Sequence, residues 1–355
     1  MARIPVGVLG ATGTVGQHFV KLLLDHPWFE LVALTASERS AGKPYAEVAK
    51  WYLSDEVPRE IADVEVRPTD PKAVEDVKLL FSAMPADEAQ RIEPACAEAG
   101  FVVSSNSSNF RMDPDIPLII PEVNPDHLAL IDVQREKRGW DGYIVKNPNC
   151  TTITFVLPLK PLYDEFGIRR VFISSMQALS GAGWTGVPSM AIEDNVIPFI
   201  AKEEDKCEEE PLKLLGSLRD GRVELAPIRV SASCHRVPVL DGHTIAVFVE
   251  LEREATPAEA VEVLSNFRGV PQELELPTAP RQPVIVSPGE DMPQPRYARN
   301  AGSVPGMAVV VGRVRGDRAL PNGIKFVCCS HNVIRGAAGA AVLNAELLRA
   351  RGYLK

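Results

Sequence analysis

The stretch that most constrains the fold lies at the N-terminus. Ile4 to Leu9 is a short apolar run, Gly10-Ala11-Thr12-Gly13-Thr14-Val15-Gly16 follows, and Gln17 to Asp25 carries helical periodicity. Strand, glycine-spaced turn and helix together form the context in which such glycines read as a dinucleotide fingerprint. Gly10 permits the tight turn, Gly13 lets a pyrophosphate approach the backbone, and Gly16 lets the helix pack on the strand. The first N–H groups of the helix then become phosphate donors. Many α/β proteins need glycine at this turn for geometry alone, so the pattern predicts the fold before it predicts the ligand.

The following segments continue the alternation. Phe29 to Leu34 and Val77 to Phe81 read as strands, Asp87 to Ala99 as a helix stopped by Gly100, and Phe101 to Val103 as another strand. Tyr45 to Arg67 reads as a polar surface excursion. Ile116 to Val123 and Gly142 to Val145 are expected to close the first sheet, with a charged helix over Asp132 to Trp140 between them.

After residue 150 the pattern changes. Residues 170–179 read as a long strand, and later long runs at 223–239, 243–250 and 307–314 have hairpin or alternating character, which predicts a mixed or antiparallel sheet. The expected class is therefore α/β: a Rossmann-type dinucleotide-binding domain over 1–149, completed by a C-terminal helix at 331–355, and an α+β catalytic and dimerisation domain over 150–330. A length of 355 residues suits two domains.

Composition narrows the partners. A net charge of −9 argues against a nucleic-acid partner, which would need a basic face, and leaves room for a local basic pocket for a small anion. No signal-peptide pattern and no apolar run of membrane-spanning length is visible, so a cytoplasmic protein without a membrane partner is expected. The six cysteines, at 96, 150, 207, 234, 328 and 329, form no C-x-x-C pair, which points to reduced thiols. Cys328-Cys329-Ser330-His331 is no metal motif, because neighbours on a strand face opposite ways and further ligands at zinc spacing are missing. No metal is expected.

Three loops suit a nucleotide or another anion. After the second strand, Ser37, Arg39, Ser40 and Lys43 suit a ribose 2′-phosphate, whereas Glu38 argues for an NAD-type hydroxyl contact. Ser82-Ala83-Met84-Pro85 follows a strand that a doubly wound sheet would place beside the glycine turn. The run Ser104 to Arg111 offers hydroxyls, amides and one arginine, either an anion clamp or an ordinary solvated loop.

The chemistry-bearing stretch is Lys146-Asn147-Pro148-Asn149-Cys150-Thr151-Thr152. Asn-Pro-Asn stops a strand and leaves Cys150 at the head of an apolar helix, where unpaired N–H groups and the helix dipole favour a thiolate. A buried structural cysteine is the plainer alternative. Asp241-Gly242 is a strong two-residue hairpin signal. It would make Leu240 and His243 the closing pair, and counting back by twos puts Pro238, Arg236 and Cys234 on the face of His243, with His235 on the other. Glu203 and Lys206, three apart on an expected helix, read as an ordinary ion pair.

Taken together these residues resemble the aspartate-β-semialdehyde dehydrogenases of the archaeal and fungal branch. The likeness runs over nearly the whole chain: the glycine turn, Asn147 to Thr152, Gln177, Ser180-Gly181-Ala182-Gly183, Glu203-Glu204-Asp205-Lys206, Arg236 with Asp241-Gly242-His243, and His331 to Gly339. The resemblance implies Cys150 as nucleophile, His243 as acid–base partner, Gln177 orienting the acyl group, and Asn149 with the Cys150 N–H as oxyanion donors. It implies Arg236 on the substrate carboxylate, Glu203 near its amino group, and Arg111 and Lys206 on phosphate. NADP would lie along Gly10, Thr12, Gly13, Thr14, Val15, Ser37, Arg39, Ser40, Ser82, Ala83, Met84, Pro85, Ser180, Gly181, Gly183 and Asn332.

The implied reaction is NADPH-dependent reductive dephosphorylation of L-aspartyl 4-phosphate, within lysine, threonine and methionine biosynthesis, by a homodimer or a dimer-of-dimers. Malonyl-CoA reductase is the rival in the same architecture. By the resemblance that family lacks Asn-Pro-Asn before the cysteine and the Glu-Glu-x-Lys cluster, both present here. A catalytically inactive nucleotide-binding paralogue is the third reading.

Overall fold

A computed structural model describes residues 2–53 and 56–355. It divides into two compact units, Met1–Ile119 with Asp126–Asn147 and Ala338–Lys355, and Ile120–Pro125 with Pro148–Ala337.

In the first unit six strands, β1 (Ile4–Leu9), β2 (Phe29–Ala36), β3 (Arg67–Pro68), β4 (Leu79–Ser82), β5 (Val102–Ser105) and β6 (Tyr143–Lys146), form one sheet in the order β3-β2-β1-β4-β5-β6. Every pairing is parallel. This is the doubly wound order, whose direction of winding reverses between β1 and β4, leaving a crevice at their C-terminal ends. β1 ends at the glycine turn there, and β4 at Ser82. Apolar side chains from the sheet and the Ala86–Glu98 helix, including Leu9, Leu80, Val103, Ile92 and Cys96, make a common core.

In the second unit the helix Cys150–Phe166 is buried along almost its whole length, as expected of a helix apolar on every side. It packs on a second sheet built from β7 (Ile168–Gln177), β10 (Arg229–Arg236), β11 (His243–Leu251), β12 (Val284–Val286), β13 (Val309–Asp317) and β14 (Gly323–Ser330), in the order β10-β7-β11-β14-β13-β12. β8 (Ser217–Arg219) and β9 (Arg222–Glu224) form a separate two-stranded ribbon. The large sheet is mixed: β10 with β7 and β12 with β13 are parallel, the other pairings antiparallel.

Three expectations fail in physically informative ways. β10 and β11 do not form a hairpin, because β7 lies between them. Carbonyls that a hairpin would use are taken elsewhere: Val239 C=O accepts from Leu179 N–H and Leu240 C=O from Ser180 N–H, while Pro238 has no N–H to give. Ile116 to Val123 is not a strand but makes one bridge, Leu118 to Lys146, since Pro117 and Pro121 remove ladder donors. The excursion after β2 is no mere surface loop: Tyr45 is fully buried, with its hydroxyl donating to Ala11 C=O at 2.8 Å. Ser54 and Asp55 in that stretch lie outside the described residues.

Candidate functional site

In the first unit Gly10 has φ +76°, the left-handed region that favours glycine. A Cβ on Gly16 would lie 2.2 Å from Gly10 O, so the helix Thr14–Leu23 meets the turn at a distance only glycine permits. Gly13 is the N-cap of this helix and supplies no side-chain cap. Thr14 Oγ1 is shielded and has no hydrogen-bond partner among the described residues. Uncapped N–H groups beside an orphaned hydroxyl fit a phosphate.

Thr12 and Val15 flank that turn, and Ala83 closes its other side: its N–H donates to Leu9 C=O, and a Cβ on Gly10 would lie 3.0 Å from Ala83 O. Met84 is buried and Pro85 starts the Ala86–Glu98 helix. Beyond β2, Ser37, Glu38, Arg39, Thr69, Asp70 and Arg91 line one cavity. Ser40 does not line it, but its N–H donates to Ser37 C=O and so shapes the loop that carries Ser37 and Arg39. Arg91, on the outer face of a helix, carried no sequence signal for this cavity.

Ser82 faces the interior. Its hydroxyl donates to Glu93 Oε1 at 2.7 Å, and Ser105 Oγ donates to the same oxygen at 2.5 Å. Lys146, fully buried, donates to Glu93 Oε2, to Ser105 Oγ at 2.9 Å and to Ser107 Oγ at 2.7 Å. Burial pushes the Lys146 ammonium down to about 8, with Glu93 opposing the shift. This network fixes the loop ahead of Arg111, whose Nη2 donates to Asn106 C=O at 2.8 Å. Glu93 and Lys146 were not visible as a pair in sequence, being 53 residues apart.

In the second unit the Cys150–Phe166 helix begins at the cysteine itself. Asn149 is its N-cap, with Oδ1 accepting from Thr151 N–H at 2.8 Å and Thr152 N–H at 3.2 Å. Cys150 Sγ lies 3.2 Å from His243 Nε2, and His243 Nδ1 accepts the Ala178 N–H at 3.1 Å. The carbonyl of the same residue is also used: Ala178 C=O accepts from Arg236 Nη1 at 2.6 Å. Ala178 thus orients both the imidazole and the guanidinium.

The register explains why they meet. Arg236 pairs with Gln177 across β10 and β7, while Thr244 pairs with Met176 across β11 and β7. His243 therefore falls opposite Gln177, and all three face one way. The facing predicted from a hairpin is right, but β7 carries it. Gln177 Nε2 donates to Ser175 Oγ at 3.1 Å. Gly181 lies directly over the pair, since a Cβ there would be 2.8 Å from Arg236 Nη1 and 3.1 Å from His243 Cε1.

Burial sets the electrostatics. His243 is fully buried, which pushes its pKa down to about 3; Glu203 opposes this and Arg236 adds to it. Burial acts to raise the Glu203 carboxyl, but Lys206, the Asn149 amide and His243 outweigh it and hold it below the usual range. Glu203 Oε1 accepts from Asn149 Nδ2 at 2.9 Å and Oε2 from Lys206 Nζ at 3.2 Å. The Glu203–Lys206 contact is thus more than a surface pair. Asn332 Nδ2 donates to Ser180 Oγ and its Oδ1 accepts from Gly242 N–H, both at 2.8 Å, tying the Ser180–Gly183 turn to the loop before β11.

Residues 5–131 match the family model described as semialdehyde dehydrogenase, NAD binding domain, and residues 159–335 the one described as semialdehyde dehydrogenase, dimerisation domain. An aspartate-semialdehyde dehydrogenase of Methanothermobacter thermautotrophicus is 57% identical over 97% of this chain and 99% of its own. A malonyl CoA reductase (NADP) of Metallosphaera sedula is 42% identical over 99% and 98%. The crystal structure of aspartate semialdehyde dehydrogenase with NADP from Candida albicans superposes with a TM-score of 0.91 at 39% identity, covering 99% of both chains. Glycine turn, parallel sheet and cysteine–histidine pair thus occur in a chain similar to these proteins from end to end, and the chain belongs to the semialdehyde dehydrogenase family.

Proposed function

We propose that the chain is an NADP-dependent aspartate-semialdehyde dehydrogenase that converts L-aspartyl 4-phosphate to L-aspartate 4-semialdehyde and phosphate through a Cys150 thioester. The observation that carries this reading is the 3.2 Å contact between Cys150 Sγ and His243 Nε2, with Arg236 fixed to the carbonyl of Ala178, the residue whose N–H orients the imidazole. A thiolate at a helix N-terminus attacks the acyl carbon, the carbon–oxygen bond to phosphate breaks, and a thioester forms on sulfur.

The residues that would hold the cofactor are those of the Gly10–Val15 turn, Ser37, Arg39, Ser40 and the Ser82–Pro85 segment, with Ser180, Gly181, Gly183 and Asn332; when bound it would supply hydride. The Cys150 N–H and the second proton of the Asn149 amide stabilise the thiohemiacetal oxyanion. His243 moves the proton as the carbon–sulfur bond breaks and the aldehyde leaves. Arg236 takes the substrate carboxylate as a two-pronged donor, Glu203 the ammonium, Gln177 the acyl oxygen, and Arg111 and Lys206 the phosphate.

The Asn149–Glu203–Lys206 chain of contacts supports an amino-acid acyl phosphate over a CoA thioester. We also assign a homodimer, alone or paired into a tetramer; the dimerisation-domain match supports it and light scattering measures it. Among the described residues no helix is long and apolar enough to cross a membrane.

The test is NADP reduction in the presence of aspartate semialdehyde and phosphate, repeated with Cys150→Ala. Phosphate-dependent turnover lost in the variant is the expected result. Turnover only with malonyl-CoA and NADPH would replace this reading, and no turnover with either substrate would leave an inactive nucleotide-binding paralogue.

A further inference from the structure

Glu210 has no part in the chemistry above, yet it is only 2% exposed and its Oε2 accepts the Asn149 backbone N–H at 2.7 Å. An N-cap N–H is commonly satisfied by Glu or Gln at the third helical position, the second half of a capping box. In the Cys150 helix that position is Thr152, whose short side chain leaves its hydroxyl without a partner among the described residues. The missing acceptor arrives from the Glu203–Leu214 helix instead.

Glu203 and Glu210 stand seven residues, about two turns, apart on one helical face. Glu203 takes the side-chain amide of Asn149 and Glu210 takes its backbone. Asn149 Oδ1 meanwhile caps Thr151 and Thr152. The N-cap is therefore held at its backbone and at both ends of its side chain, directly after Pro148, whose ring fixes φ and offers no N–H.

We propose that Glu210 is a positioning residue for Cys150: it completes, from a second helix, the capping box that the Cys150–Phe166 helix cannot form from its own sequence. The inference rests on the reading of Cys150 as nucleophile. Rotation of the Asn149 peptide swings the next residue, so the Glu210 hydrogen bond helps hold Sγ at its 3.2 Å contact with His243. What matters is an oxygen at the right reach, not its charge.

Two variants separate these. Glu210→Asp keeps the charge and withdraws the oxygen by one methylene, whereas Glu210→Gln keeps the reach and removes the charge. Initial rates of NADP reduction are measured on the full-length protein with aspartate semialdehyde and phosphate, after thermal scans show both variants folded at the assay temperature. Glu210→Asp is expected to lower kcat about tenfold or more, the scale of a small misplacement at a reacting atom. Its KM values should stay within about twofold and Glu210→Gln should keep kcat within about threefold, since ground-state binding is untouched.

The reverse order, Asp active and Gln impaired, overturns the proposal in favour of a charge effect. Equal impairment of both, as lost packing would give, or wild-type rates in both, also overturns it. Cys150→Ala assayed alongside tests the nucleophile reading separately: retained turnover there would remove the basis of both, whatever the order of the Glu210 variants.

Discussion

His243 accepts the Ala178 N–H at Nδ1, 3.1 Å away, and therefore carries its own proton on Nε2, the nitrogen 3.2 Å from Cys150 Sγ. A neutral imidazole has one donor and one acceptor nitrogen, and this network assigns which is which. In this tautomer the ring turns an N–H donor, not a lone pair, toward the sulfur. A second proton, on Nδ1, would point at the Ala178 N–H. Burial and that opposed donor act in the same direction.

The first prediction concerns this ring. His243→Ala should lower kcat about 10²–10⁴-fold, the usual range for a lost acid–base group, while NADP affinity stays near wild type. In the wild-type protein the iodoacetamide rate at Cys150 should show no step near pH 6.5, the ordinary histidine value. A clear inflection there would mean an imidazolium partner and would sink the tautomer assignment.

A second prediction follows from the same burial. The His243 pKa is depressed from 6.5 to about 3 in the folded protein, so between those values the unfolded chain binds the extra proton and the folded one does not. The contribution of neutral His243 to stability is fully present above about pH 6.5 and is lost as pH falls toward 3. Thermal midpoints measured from pH 7 to pH 4 should fall more steeply for wild type than for His243→Phe. Parallel slopes would show that other groups dominate acid unfolding.

Much of this arrangement was legible because its parts are local. The glycine turn, the Asn-Pro-Asn stop and the Cys150 helix each rest on residues close in sequence, and their physics is that of strand ends and helix starts. The facing of Arg236 and His243 came out right for a different reason from the one expected, since strand alternation survives even when the neighbouring strand is misassigned. Pro238 was the warning against a hairpin. Contacts between distant segments stayed hidden: Glu210 on Asn149, Lys146 on Glu93 and Gly336 on Cys150 have no pattern that composition or spacing can mark.

Gly336 carries the third prediction. It lies in a π-helical turn over Ile334–Ala338, and Arg335 in that turn is fully buried in a two-bond ion pair with Glu122, at 3.0 and 2.7 Å. A Cβ on Gly336 would stand 2.6 Å from Cys150 Cβ and 3.0 Å from its Cα, neither of which is the far end of a flexible side chain. Gly336→Ala should destabilise the protein by about 1–3 kcal/mol, the usual range for overpacking. It should also slow Cys150 alkylation. Unchanged stability together with an unchanged alkylation rate would show that the two segments part easily.

The fourth concerns the choice of cofactor. Arg39 and Arg91 line the cavity beyond β2 with Glu38, Asp70 and Glu88, so cations and carboxylates compete for whatever group enters. If the cations hold a 2′-phosphate, Arg39→Ala combined with Arg91→Ala should raise KM for NADP about tenfold or more, a phosphate's charged hydrogen bonds being worth a few kcal/mol. KM for NAD should change little. Equal losses for both cofactors would assign the arginines to shape alone.

The last prediction separates stability from positioning in the first unit. Lys146 and Glu93 have no exposed side-chain surface, and three serines, Ser82, Ser105 and Ser107, share their charges by hydrogen bonds. Lys146→Met leaves the Glu93 carboxylate in the interior with hydroxyl donors only, and breaking a buried pair from one side costs about 3–5 kcal/mol. Glu93→Gln added to Lys146→Met removes the stranded charge and should recover a large part of the calorimetric midpoint. The loop is a different matter, because Ser105 and Ser107 lose their ammonium partner in both variants while Asn106 C=O remains the acceptor for Arg111. KM for phosphate should therefore stay raised in the double variant even where stability returns. Recovery of both together would make the pair purely structural, and recovery of neither would show that Lys146 acts through packing alone.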